Sequence, residues 1–294
     1  MTKKRLILFL ILTFGLTWAI FGLWAGLGGR YLDAEGNITS MGSLMAVLAM
    51  VCPTVGMLLT RWGTKEGFAL CGSGSMLLGI CMRQKKWRYY LLAMLLPWVY
   101  FELGNGLILL LAPEAASGAE LKEMGTVLFL QPVAAIVNGT FVSFGALGEE
   151  LGWRGYMMPK LMQLMDRRWA LLVGGIIWGI WHWPMVCMGH NFGRSYWGYP
   201  VTGFAAMCVM TIAIGILLTV LVCKAESIWP AVILHAVNNG MPGILRYFID
   251  VNRLPDWLND SVVRFLLILL PAVLIAAVWY MVFIRENKEG AQEK

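Results

Sequence analysis

The sequence is poor in charge. Of 294 residues only 14% are Asp, Glu, Lys or Arg, while 59% are hydrophobic; a soluble globular domain carries roughly 25% and 45–50%. A soluble enzyme and a disordered chain are both excluded. The six cysteines include no CxxC pair and lie in or beside apolar segments, so neither a disulfide scaffold nor a thiol redox motif is present. There is no HExxH, no serine in a nucleophile-elbow context, no repeat with a period of 20–50 residues and no low-complexity tract. A net charge of +6 could signal nucleic acid, but no basic stripe is interleaved with aromatics. The Lys and Arg residues cluster between apolar runs instead, and no nucleic-acid partner is expected.

Those apolar runs dominate the chain, whose mean hydropathy is +0.69. A spanning helix needs ~20 mostly apolar residues. Eight runs qualify: Leu6–Leu27, Gly42–Leu59, Tyr89–Leu111, Thr126–Leu147, Trp169–Met188, Val201–Val222, Ile228–Ile249 and Val262–Ile284. The expected fold is all-α, one polytopic transmembrane domain over 1–294 set in the lipid bilayer. Phe68–Met82, shorter and rich in Gly and Ser, reads as interfacial or re-entrant. The opening MTKKR and its long apolar run resemble a signal peptide only in outline and read as a retained first helix. Eight spans put both termini on one side. Seventeen of the 23 Lys and Arg then fall in segments on that side, so the positive-inside rule makes both termini cytoplasmic.

Ionisable groups at membrane depth are costly and mark functional sites. Three clusters occur, within 126–249. The first is Glu149-Glu150-Leu-Gly-Trp-Arg154, at the inner end of the fourth run. Each helical step turns about 100°, so residues four apart share a face. Glu150 and Arg154 can therefore pair, while the adjacent Glu149 points elsewhere. The second is Trp178-Gly-Ile-Trp-His182, whose spacing sets an indole beside an imidazole. The third is His235-Ala-Val-Asn-Asn239, two hydrogen-bonding groups on one face. Singly, each has a plain reading: an inner-leaflet anchor, a helix–helix hydrogen bond, a chance spacing. Two of only three histidines at membrane depth, each partnered at four residues, make the set distinctive.

Together they could activate water. A carboxylate in low dielectric is a competent general base. Glu149 and His182, converging on one water, could deprotonate it for attack on an amide carbonyl. His235 and Asn239 could stabilise the oxyanion. Zinc held by Glu and His from several helices is the rival chemistry, but the expected enzyme needs no cofactor. Glu102 and Asn105 in the third run either line the cavity or pair across helices, and His190 reads as a solvated outer-loop residue.

Taken in order, EExxxR (Glu149, Glu150, Arg154), aromatic-xxxH (Trp178, His182) and HxxxN (His235, Asn239) resemble the motifs of the CAAX-protease and bacteriocin-processing (CPBP) family. This is the group of intramembrane glutamate endopeptidases that includes the type II CAAX prenyl endopeptidases. The resemblance implies catalytic roles for Glu149 and His182 on the water and for His235 and Asn239 at the oxyanion. Glu150, Arg154 and Trp178 take supporting positions, with Trp178 standing where Phe is common. It also implies a membrane-associated peptide or protein substrate, cleaved near the cytoplasmic side. Short loops and a compact plan resemble bacterial members, hence a bacterial cell membrane. Two other functions fit the same residues: a non-catalytic immunity or scaffold protein that sequesters a peptide, and a proton-coupled transporter. No inverted repeat supports the latter.

Overall fold

A computed structural model describes residues 1–72, 74–117, 144–240 and 243–292, with side chains as far as 285. Among them there is no strand, only two isolated bridges, Leu32–Ile38 and Ala116–Ile249. The helices are α1 Thr2–Gly26, α2 Ser40–Gly63, α3 Trp87–Leu111, α4 144–152, α5 Met158–Leu164, α6 Arg167–Trp181, α7 Trp183–Cys187, α8 Val201–Ala225, α9 Trp229–Gly240, α10 Asp256–Asn259 and α11 Ser261–Gln292. One π turn, Trp153–Met157, joins α4 to α5 without a break.

Among the described residues five helices are long and apolar enough to cross a membrane: α1, α2, α3, α8 and α11 up to Arg285. Of these α8 is the hub. It packs against α6, α9 and α11, and its apolar window is 72% buried where those of the other four are 22–33%. A helix hydrophobic all round belongs in the interior. The other four turn residues such as Ile11, Leu48, Leu103 and Leu274 outward, where lipid replaces protein.

Two of the other expected spans are broken. The run Trp169–Met188 becomes α6, which ends at Trp181, followed by the short α7. Pro184 is the cause: it has no N–H to give the Ile180 carbonyl and its ring crowds that carbonyl. The run Ile228–Ile249 becomes the 12-residue α9, then 3₁₀ turns at Leu245–Phe248 and Val251–Arg253. The run Thr126–Leu147 falls outside the described residues as far as 143. Phe68–Met82 forms no helix among its described residues. Its carbonyls instead receive hydrogen bonds: Gly74 from Arg61, Leu77 from the Ile228 N–H and Leu78 from the Trp229 indole.

Small residues let the helices approach closely, as membrane packing favours. A Cβ at Gly152 would sit 2.7 Å from Pro53 backbone atoms of α2, and one at Gly148 would sit 2.7 Å from the Met50 carbonyl oxygen. Because backbone cannot yield as a side-chain tip can, Gly152→Val should force α4 off α2. Overpacking of this kind costs about 1–3 kcal/mol. A lowered Tm in detergent is the expected result, and an unchanged Tm would disprove the tight contact.

The bundle has two distinct ends. At one, Arg5 of α1 hydrogen-bonds Thr64, Glu66 lies 3.6 Å from Arg5 and 2.6 Å from Lys160, and Lys86 pairs with Glu226 at 2.8 Å. At the other, Tyr31 meets His190, the Trp197 N–H donates to Asp260, and Ser261 donates to the Phe192 carbonyl.

Candidate active site

Glu149 and Glu150 sit on α4 at the level of Met50–Pro53, the middle of α2. The sequence suggested the inner end, because hydropathy falls after Leu147. The helix continues past the pair through the π turn into α5, so both carboxylates lie level with the middle of α2. Glu149 is 2% exposed. Its Oε2 accepts hydrogen bonds from the indole N–H of Trp178 at 2.7 Å and of Trp153 at 3.3 Å.

Glu150 faces the other way and is fully buried. A single oxygen, Oε1, accepts from Arg154 at 2.9 Å and from His235 Nδ1 at 2.8 Å. The expected Glu150–Arg154 pair is present; His235 was not foreseen as its third member. The Arg154 guanidinium lies 3.9 Å from the Trp178 ring centroid, a cation–π contact that supports its charge. Trp178 thus carries Arg154 on its ring and Glu149 on its N–H.

His182 caps α6. Its Nδ1 lies 2.9 Å from the Trp178 carbonyl oxygen. A carbonyl only accepts, so Nδ1 carries the proton and Nε2 keeps its lone pair. The same logic makes His235 Nδ1 the donor to Glu150. At the end of α9, Tyr100 donates to Asn238 Oδ1 at 2.5 Å, and Asn238 Nδ2 donates to Asn239 Oδ1 at 3.0 Å. The Asn239 carboxamide is thereby turned so that its N–H₂ faces away from Asn238.

Glu149, Trp178, His182, His235 and Asn239 all line one cavity of about 530 Å³. Glu150 and Arg154 lie behind it. The structure therefore brings α4, α6 and α9 together at one chamber, although the three motifs are spread over about ninety residues of sequence.

His190 corrects the sequence reading. It is no solvated loop residue; it lines the same cavity, its ring stacked on His182 at 12° and 6.1 Å. Its Nδ1 lies 2.7 Å from the buried Tyr31 hydroxyl. Nothing in the local pattern gave this away, because the α7–α8 loop folds back over the chamber by tertiary contact. Glu102 pairs across elements: its oxygens cap the N–H groups of Ile244 and Leu245, with Asn105 buried nearby. Among the described residues no three His, Cys, Asp or Glu side chains are grouped as a metal site needs.

The architecture is that of an all-helical membrane protein with a polar chamber inside the helix bundle. A family model described as Type II CAAX prenyl endopeptidase Rce1-like matches residues 129–241, the stretch holding all three motifs. CAAX prenyl protease 2 of Methanococcus maripaludis is 33% identical over 97 residues, 31% of this chain and 34% of that protein. The chain therefore spans about a third of the length of this curated relative. The motif-bearing stretch is thus similar to the type II CAAX prenyl endopeptidases.

Proposed function

We propose that the protein is an intramembrane endopeptidase, metal-independent, with eight membrane passes and cytoplasmic termini, in a bacterial cell membrane. One observation carries the reading: among the described residues each polar group at the chamber has one hydrogen-bonding function engaged and another left for a reactant. Glu149 keeps Oε1, His182 keeps the Nε2 lone pair, Asn239 keeps its amide N–H₂ and His235 keeps Nε2. An immunity or scaffold protein has no need of such an alignment.

The steps follow from these atoms. A water held between Glu149 Oε1 and His182 Nε2 attacks the scissile carbonyl carbon and gives its proton to Glu149. The carbonyl oxygen becomes an oxyanion that accepts from Asn239 Nδ2 and His235 Nε2. His235 can donate only when both ring nitrogens carry protons, since Nδ1–H is engaged by Glu150; the Glu150 carboxylate supplies the counter-charge. The intermediate then expels the amine as the C–N bond breaks, and Glu149 returns the proton to that nitrogen. General base catalysis of this kind contributes roughly 10²–10⁴-fold and an aligned oxyanion donor roughly 10²–10³-fold.

Purified protein incubated with a peptide library, prenylated and plain, with and without EDTA, tests the reading by mass spectrometry. Cleavage indifferent to chelator is expected. Cleavage lost with EDTA would move the chemistry to a metal. Tight peptide binding without cleavage would favour sequestration.

The Tyr100–Asn238–Asn239 relay yields a separate expectation. Tyr100→Phe keeps the buried ring but releases Asn238, so the Asn239 amide loses its fixed direction. The turnover rate kcat should fall about tenfold with KM little changed, because an oxyanion donor acts only in the transition state. A rise in KM alone would instead place Tyr100 in substrate binding.

A further inference from the structure

We infer that the chamber opens to the extracytoplasmic side, so that its substrate is a peptide segment presented there, apolar around the scissile bond. This rests on the endopeptidase reading and on the cytoplasmic termini, and it reverses the sidedness that the sequence suggested. The lining is drawn from one end of the bundle. α2 contributes Ser43, Ala46 and Met50, the half next to Tyr31; α8 contributes Met210 and Ile214 from its middle; α11 contributes Phe265, Ile268 and Leu269 near its start. The loops at that end add Tyr31, Ile38, His190 and Asn191. No lining residue comes from the segments holding Arg5, Glu66, Lys86, Lys160 or Glu226, which mark the other end.

Closure is equally one-sided. Below Glu149 and Trp178, toward the basic end, Trp153, Met157 and Leu171 fill the interior at 0–1% exposure. On the opposite side the lining residues Ile38, Ser43, Asn191 and Asn239 are exposed. A reactant reaching Glu149 past the described residues therefore passes the α1–α2 and α7–α8 loops. Because fifteen of the 21 Lys and Arg among the described residues lie toward the basic end, with Arg154 inside the bundle, that end is cytoplasmic and the exposed rim is not. Walls such as Met50, Phe101, Trp181, Met210 and Phe265 suit apolar side chains better than charged ones.

Cysteine accessibility in whole cells tests this. In a chain whose six cysteines are replaced by alanine, Ala46→Cys inside the chamber and Trp197→Cys on the far loop should react with a small impermeant cationic thiosulfonate added outside. Lys65→Cys should react only after permeabilisation. Labelling of Ala46→Cys only from the cytoplasm would overturn the proposal. Should the cysteine-free chain fail to fold, the wild type carries its own reporters: Cys187 lies toward the far end and Cys71 at the basic end, both exposed. External labelling of Cys187 but not Cys71, read by peptide mass spectrometry, is the expected pattern, and the inverse overturns it. Labelling is independent of cleavage, so a chain that labels as expected but hydrolyses nothing counts against the peptidase reading alone.

Discussion

Glu149→Gln should abolish peptide cleavage, by roughly 10²–10⁴-fold in kcat, while leaving the Tm almost untouched. The substitution is nearly isosteric, and the amide oxygen of Gln still accepts from the indoles of Trp178 and Trp153, which at 2.7 and 3.3 Å hold the native carboxylate. What Gln cannot do is take the proton of the attacking water. Initial rates by mass spectrometry, with thermal unfolding of the same preparation, separate lost chemistry from lost fold. His182→Ala should give a comparable loss, because the imidazole Nε2 is the second acceptor for that water. Full activity in Glu149→Gln would end the general-base assignment. Activity lost together with the fold would show that the carboxylate is structural.

The sequence showed much of this site and missed its long-range partners and the loop residue His190. Spacings of four residues placed Glu150 against Arg154 and Trp178 against His182, because helical geometry is local and survives even the π turn at Trp153–Met157. The same locality hid the long-range partners. That Trp178 donates to Glu149, 29 residues away, and that His235 joins the Glu150–Arg154 pair from 85 residues away, depends on how α4, α6 and α9 meet around α8. Hydropathy ended the apolar run at the carboxylate pair for a related reason: a charged doublet ends such a run on any scale, although here the helix continues behind it. Likewise Pro184 and the turns after Gly240 shortened two expected spans, since a run of apolar residues reports burial but not helix continuity. His190, in a loop with no periodicity to read, could be placed only by the fold.

The largest structural effect should come from Glu150. This carboxylate is the one acceptor shared by Arg154 and His235, and all three side chains are 0–5% exposed. Removing one partner of a buried ion pair costs about 3–5 kcal/mol, because the remaining charge has neither water nor a counter-ion. Glu150→Ala leaves the Arg154 guanidinium without its hydrogen-bonded counter-ion, against the Trp178 face 3.9 Å away, and leaves His235 without its anchor. A large drop in Tm, or failure to accumulate in the membrane, is expected. Replacing both charges with neutral groups of similar shape, Glu150→Gln with Arg154→Met, should recover most of that loss, since no uncompensated charge remains buried. Activity should not return with it. In the double variant the neutral amide at 150 can still accept from His235 Nδ1 but supplies no counter-charge for a doubly protonated ring, so one oxyanion donor is lost and the rate stays down by roughly 10²–10³-fold. A double variant both stable and fully active would show that Glu150 and Arg154 serve packing alone. One no more stable than Glu150→Ala would show that shape, rather than charge balance, holds α4 against α9.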